Sequence, residues 1–296
     1  MATESVDGYV KVSGFKLYYH SFGEAAKGTI LTLHGGPGAT HDYMLPISRL
    51  AEHGYRVVFY DMLGGGRSDF PQDMSLYAIE RWAEEAEGVR RALDLGRVHL
   101  LGHSLGGSIA MVYALAHPQS LMSLTVSSGF ASAPLLVSEV LRLESELPTT
   151  SREAIRKAEE SRDFKSPDYK NAVKEFMDRH YQRGLVEFNP PEHVYTLSHF
   201  NKLLYKTLWG PTEFRVTGTL KAWDISGELG TLDLPCLITA GRYDEATPAV
   251  AVDLHRRIKG SKLVIFENSS HNAMLEERDA YIRTIAEFLD SVPTKA

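Results

Sequence analysis

A serine, an acid and a histidine occur in this chain in an order that suits acyl transfer: Ser104, then Asp244, then His271, each shortly after an apolar run of strand length. Serine is a weak nucleophile at neutral pH, so a base must take its proton as it attacks. Imidazole titrates near pH ~6.5 and can accept and return that proton, while a carboxylate on its far side fixes the tautomer and stabilises the imidazolium. Glu245, next to Asp244, is an alternative acid. Ser104 lies in Gly102-His103-Ser104-Leu105-Gly106-Gly107, a Gly-x-Ser-x-Gly pattern that places a serine on a cramped strand-to-helix turn. An earlier Gly-rich loop, His34-Gly35-Gly36-Pro37-Gly38, leaves backbone N–H groups unobstructed, as an oxyanion site requires. The N–H groups of Gly36 and Leu105 are the expected oxyanion donors. His34 and His103 flank the two glycine motifs and are placed to tune the site, whereas His99, inside a strand, and His53 read as structural.

These side chains can meet only if strands bring their loops to one edge of a sheet. Tyr9–Val12 and Phe15–His20 read as two edge strands joined at Ser13-Gly14. Apolar runs then follow at Gly28–Leu33, Arg56–Tyr60, Val98–Leu101 and Leu121–Val126. Helical periodicity separates them, over Tyr43–His53, over Ile79 to Leu93 with Gly96 as the stop, and over the segment after Ser104. Alternating strand and helix predict an α/β fold with a mostly parallel central sheet. From Ala133 to Trp223 the pattern changes to charged helical stretches at Val137–Leu147, Ser151–Ser161, Tyr169–Gln182 and His193–Leu208, punctuated by prolines. This is the pattern of a lid inserted over the strand ends. The sheet resumes at Pro235–Ala240 and Leu263–Phe266, and a helix with Ile282, Ile285 and Leu289 closes the chain. The expected division is a core of 1–132 and 224–296 with a helical cap of 133–223.

Composition narrows the function. The 296 residues, 43% of them apolar, are enough for one large core with an insertion. The net charge of −6 comes without a basic stripe, so neither nucleic acid nor an anionic membrane is an expected partner. Cys236 is the single cysteine, which excludes an internal disulfide and a cysteine-based zinc site, and its apolar neighbours predict a packed thiol. Asp61 to Ser68 carries three consecutive glycines but lacks the Lys-Ser/Thr end of a phosphate-binding loop. No run approaches the ~18 apolar residues that span a bilayer, and the first residues do not read as a secretion signal, so a soluble cytoplasmic protein is expected.

Together, His34-Gly35-Gly36-Pro37-Gly38, Gly64-Gly65-Gly66-Arg67-Ser68, the serine elbow and Gly241-x-x-Asp244-Glu245-x-Thr247-Pro248 resemble the proline iminopeptidase (prolyl aminopeptidase) family of α/β-hydrolases. The likeness runs nearly end to end, and the segment from Gly210 to Thr219 is similar to that of the archaeal tricorn-interacting aminopeptidases. The resemblance implies release of N-terminal residues, proline or small apolar ones, from short peptides without metal or cofactor. It also implies that Glu213 and Glu245 hold the substrate's α-ammonium, with Gly35 and His103 among the substrate-binding residues. By itself Glu213 reads as an exposed lid residue in a surface salt bridge. Two departures from the family pattern are expected to touch the pocket: Met62, Leu63 and Gly65 where the family commonly has Gln, Arg and Cys, and His103 and Leu105 around the serine. An amidase, arylamidase or carboxylesterase using the same triad is the alternative activity.

Overall fold

Eight strands pair into one sheet, and every parallel strand ends at the same edge. The computed structural model describes residues 4–183 and 190–293, so the expected segments 1–132, 133–223 and 224–296 each contain a few residues outside the described set. Strands β1 (Ser5–Val12) and β2 (Phe15–Phe22) form a hairpin whose turn residues, Ser13 and Gly14, both have positive φ. β3 (Gly28–Leu33) leads through a 3₁₀ helix at Asp42–His53 to β4 (Tyr55–Tyr60). Helix α1 (Ile79–Ala92) precedes β5 (Val98–His103), which runs into α2 (Leu105–Ala116) and β6 (Leu121–Ser127). Among the described residues five α-helices follow: α3 (Ala133–Ser145), α4 (Thr149–Ser161), α5 (Pro167–His180), α6 (Pro191–Ser198) and α7 (Lys202–Leu208). The chain then returns to the sheet as β7 (Cys236–Gly241), α8 (Pro248–Arg257), β8 (Lys262–Phe266), α9 (Ala273–Glu276) and α10 (Arg278–Asp290).

The strand order is β1-β2-β4-β3-β5-β6-β7-β8. β2 is antiparallel to both β1 and β4, and from β4 to β8 all neighbours are parallel. Only β1 of the expected pair of edge strands is at an edge, because β2 continues the sheet against β4. Successive residues of each central strand feed opposite faces, as the period of two requires. Leu31, Leu33, Val58, Leu100 and Ile238 pack with α1, α2 and α8 on one side. Ile30, Val57, Phe59, Leu101 and Leu237 pack with the 3₁₀ segment and α10 on the other. Trp82 and Cys236 are packed in the first cluster, as expected.

Several local expectations are corrected. The helix read over Tyr43–His53 is wound as 3₁₀; Pro46 inside it has no N–H to donate to an α-helical ladder. Helix α1 stops at Ala92, where Asp94 at φ 49° turns the chain, so Gly96 lies beyond the terminus it was expected to make. The single helix read over His193–Leu208 is two helices broken at His199–Asn201. Asn201 caps α7 through its side chain, its own N–H donates to Gly38 O, and its Nδ2 donates to Gly64 O at 2.7 Å. The break therefore ties the inserted helices to two Gly-rich loops of the sheet. Among the described residues, no helix is long and apolar enough to cross a membrane.

Candidate active site

The loops after β3, β5, β6, β7 and β8 leave the sheet at one edge, where ligands of open parallel sheets bind. Ser104 follows β5 directly, with φ 57° and ψ −127°. That strained conformation costs about 1–3 kcal/mol, and the surroundings hold it. A Cβ on Gly106 would lie 2.1 Å from Leu33 O, and one on Gly102 would lie 2.1 Å from Gly106 O, so the elbow closes only with glycine at both positions. Gly35 also passes close: a Cβ there would be 2.8 Å from Ser104 Cβ.

Asp244 and His271 are joined as expected. His271 Nδ1 donates to Asp244 Oδ1 at 2.7 Å, and Ala246 N–H donates to the same oxygen at 2.8 Å. Both residues are buried. Glu245, the alternative acid, lies on the other side of the ring with Oε1 3.8 Å from His271 Nε2, so the orienting carboxylate is Asp244. Burial alone would lower the His271 pKa; Asp244, then Glu245 and Glu276, override it and push it up to about 9. Ser104 and His271 line one cavity of about 270 Å³. Among the described residues Ser104 Oγ makes no hydrogen bond to the ring. The N–H groups of Gly36 and Leu105 have no acceptor among the described residues.

Glu213 and Glu245 line the same cavity. Glu213 is not the surface salt-bridge residue its sequence context suggests: among the described residues it has no ion pair, and it accepts a hydrogen bond from Tyr205 Oη. Burial raises the carboxyl of Glu213, and burial pushes that of Glu245 up to about 7 against the opposing pull of His271. Apolar walls come from Phe130, Leu136, Val140, Met177 and Trp209.

Two histidines hold the loops around the site through both ring nitrogens. The resemblance places His103 among the substrate-binding residues; its ring borders the cavity, with both nitrogens held inside the protein. Nε2 donates to His271 O at 2.8 Å, since a carbonyl can only accept, and this leaves Nδ1 to accept from Tyr43 Oη at 2.8 Å. Tyr43 Oη in turn accepts from Gly35 N–H at 2.7 Å. Burial and the neighbouring His271 hold the His103 pKa well below the usual value, so the ring is a neutral strut. His34 is similar: Nδ1 donates to Gly35 O and Nε2 accepts from Met62 N–H at 3.0 Å. Met62 and Leu63 are buried in the core and do not line the cavity, so that departure from the family pattern does not touch the pocket as expected. Leu105 is buried beneath the elbow, and of the two residues around the serine only His103 borders the cavity.

Sequence reasoning missed Tyr43, Tyr181 and Tyr205. Tyr181 stacks on His271 with ring centroids 5.3 Å apart and an interplanar angle of 27°. Tyrosines in and beside helices carry no motif, so only the packed chain reveals them.

The α/β hydrolase fold family model matches residues 28–278. A proline iminopeptidase of Saccharolobus solfataricus is 44% identical over 97% of this chain and 93% of its own length. The chain belongs to the proline iminopeptidase family of α/β-hydrolases. Among solved structures, VinJ superposes with a TM-score of 0.92 at 31% identity, covering 97% of this chain and 99% of that one. The proline iminopeptidase of Mycobacterium smegmatis superposes with a TM-score of 0.90 at 30% identity, covering 96% and 98%. Membership extends to the α/β-hydrolase sheet order, with the segment α3–α7 inserted between β6 and β7.

Proposed function

We propose that this chain is a serine aminopeptidase that releases N-terminal proline, and more slowly small apolar residues, from short peptides through an acyl-enzyme. Ser104 is the nucleophile and His271 its base; Asp244 keeps the imidazole proton on Nδ1 and stabilises the imidazolium. The developing oxyanion is held by the N–H groups of Gly36 and Leu105, and losing one such donor typically costs ~3 kcal/mol. His271 then returns the proton to the departing amine, and water cleaves the acyl-enzyme with the same base. Hydrogen bonds between nucleophile and base are often long before substrate arrives, so an unbonded Ser104 is compatible with this role.

The single observation that carries the reading is the pair of carboxylates, Glu213 and Glu245, in the cavity that holds Ser104 and His271. An exopeptidase must recognise the chain end, and the feature that marks it is the α-ammonium. N-terminal proline carries a secondary ammonium with two N–H donors, which two carboxylates match one to one. At ~1.5–3 kcal/mol per charge-assisted bond, the pair would favour a free over a blocked amine by ~10²–10⁴. An esterase or amidase indifferent to that amine gains nothing from two acidic groups in the cavity of its nucleophile.

In this reading α3–α7, within 133–223, form the lid of a core made from 1–132 and 224–296. The substrate is a short peptide, the site of action is the cytoplasm, and no metal or cofactor takes part in the chemistry. The test is hydrolysis of Pro-, Ala- and Leu-arylamides beside their N-acetyl forms, with Ser104→Ala as the blank. Rapid cleavage of the free prolyl substrate alone is expected; equal rates with and without the acetyl group would overturn the proposal.

A further inference from the structure

The carboxylate of Glu245 stands where the proton of Ser104 has to arrive. Its Oε1 is 3.8 Å from His271 Nε2, the nitrogen that must be unprotonated to act as base. The opposite nitrogen is already committed to Asp244 at 2.7 Å. The imidazole is thus flanked by a carboxylate at each end, an arrangement that favours the doubly protonated ring and disfavours the base. Resting inhibition and amine recognition would then reside in the same oxygen atoms.

We propose that Glu245 couples recognition to catalysis: it holds His271 as imidazolium until the substrate's α-ammonium occupies the carboxylate, which releases Nε2 to accept the Ser104 proton. This rests on the aminopeptidase reading for the identity of the cation. The balance is simple. One cationic ammonium enters, the Nε2–H bond of His271 breaks, and that proton leaves to solvent, so the net charge of the site is unchanged. Only a substrate with a free amine both binds and switches on the base, whereas a neutral ester meets an enzyme largely in its inactive protonation state.

The other groups around the ring do not supply this switch. Glu276 on α9 is engaged by Ser270, accepting from both its N–H and its hydroxyl. His103, at the end of β5 with its ring centroid 4.8 Å away, is neutral and donates to the His271 carbonyl. Tyr181, at the end of α5, stacks on the ring face, and burial pushes its hydroxyl up. Asp244 faces Nδ1 and is buried beyond the reach of an incoming amine. The elevated His271 pKa, about 9 with Glu245 among its causes, agrees with the geometry.

The experiment uses the full chain and an uncharged acetate ester, whose kcat/KM reports the free enzyme's base. In wild type the acid limb of the pH profile should lie above pH 8. In Glu245→Gln it should fall by a unit or more, raising ester kcat/KM at pH 7 about 10-fold, since each unit changes the neutral imidazole fraction about tenfold there. Glu245→Ala is the second variant and should shift the limb in the same direction; Glu213→Gln should not lower it. Within wild type alone, the acid limb of kcat for a prolyl arylamide should lie below that of kcat/KM for the ester. Coincident limbs in wild type, or an unshifted limb in a folded Glu245 variant, would overturn the coupling. A shifted ester limb without any arylamide cleavage would remove the aminopeptidase reading and keep the coupling; arylamide cleavage with no shift would do the reverse.

Discussion

His103 Nε2 donates to the backbone carbonyl of His271 at 2.8 Å, so the residue before the nucleophile holds the residue proposed as its base. The same ring reaches Gly35 through Tyr43, which links the Gly-rich loop after β3, the elbow and the His271 loop in one hydrogen-bonded chain.

Replacing His103 should therefore damage turnover more than binding. His103→Phe is expected to lower kcat about 10–100-fold with KM changed by less than threefold, because small displacements of reacting groups cost about that much. Steady-state kinetics on a prolyl arylamide tests it; an unchanged kcat would mean the carbonyl contact positions nothing.

Gly35→Ala should be nearly inactive. Its Cβ would lie 2.8 Å from Ser104 Cβ and 3.1 Å from Tyr43 Oη, so either the nucleophile or the oxyanion loop must move. A loss of at least about 10² in kcat/KM is expected. Titration with a serine-directed organophosphonate should show slowed labelling of Ser104; wild-type labelling would refute the clash.

Glu213→Gln removes one of two charges proposed to meet the ammonium. The expected cost is about 1.5–3 kcal/mol in kcat/KM for a free prolyl arylamide, roughly 10–10²-fold. Preference for free over acetylated substrate should shrink by the same factor, and a preserved preference would assign Glu213 a structural role.

Asp61 makes the stability of the protein depend on acid. It is fully buried, accepts from His41 Nδ1 at 2.8 Å and from the N–H groups of His41 and Arg67, and Arg67 also forms a two-bond pair with Asp42. Burial would raise its carboxyl; His41 and the Arg67 N–H override this and hold it far below the usual range. A folded-state pKa below the unfolded one means that the contribution is complete above pH ~4 and is lost as the pH falls from there. Asp61→Asn should lose about 3–5 kcal/mol at pH 7, with the gap to wild type narrowing toward pH 3. Urea denaturation at the two pH values measures it, and a gap that widens in acid would reverse the sign.

The sheet and the loops that carry Ser104, Asp244 and His271 were legible because both depend on local pattern. Runs such as Gly28–Leu33 alternate between two buried faces, and a nucleophile elbow needs glycines whose absence of Cβ is visible in the sequence. The order Ser104, Asp244, His271 then follows from strands whose ends share one edge. The break at His199–Asn201 was not legible, since Asn201 interrupts a helical period in order to bond Gly38 and Gly64, residues more than 130 positions away. Equally hidden was the placement of Met62 and Leu63, motif positions that turn into the core and away from the pocket.

By itself the sequence determined the order of chemistry-bearing residues and the alternation that builds the sheet, because both are written in neighbours along the chain. Tertiary structure alone decided that Asp244 and Glu245 take opposite nitrogens of one imidazole, and that both ring nitrogens of His103 are engaged within the protein, one of them bracing the His271 backbone. The reason is geometric: adjacent side chains on a loop diverge, and only the packing of β5, β7 and the loop after β8 fixes which direction each one faces.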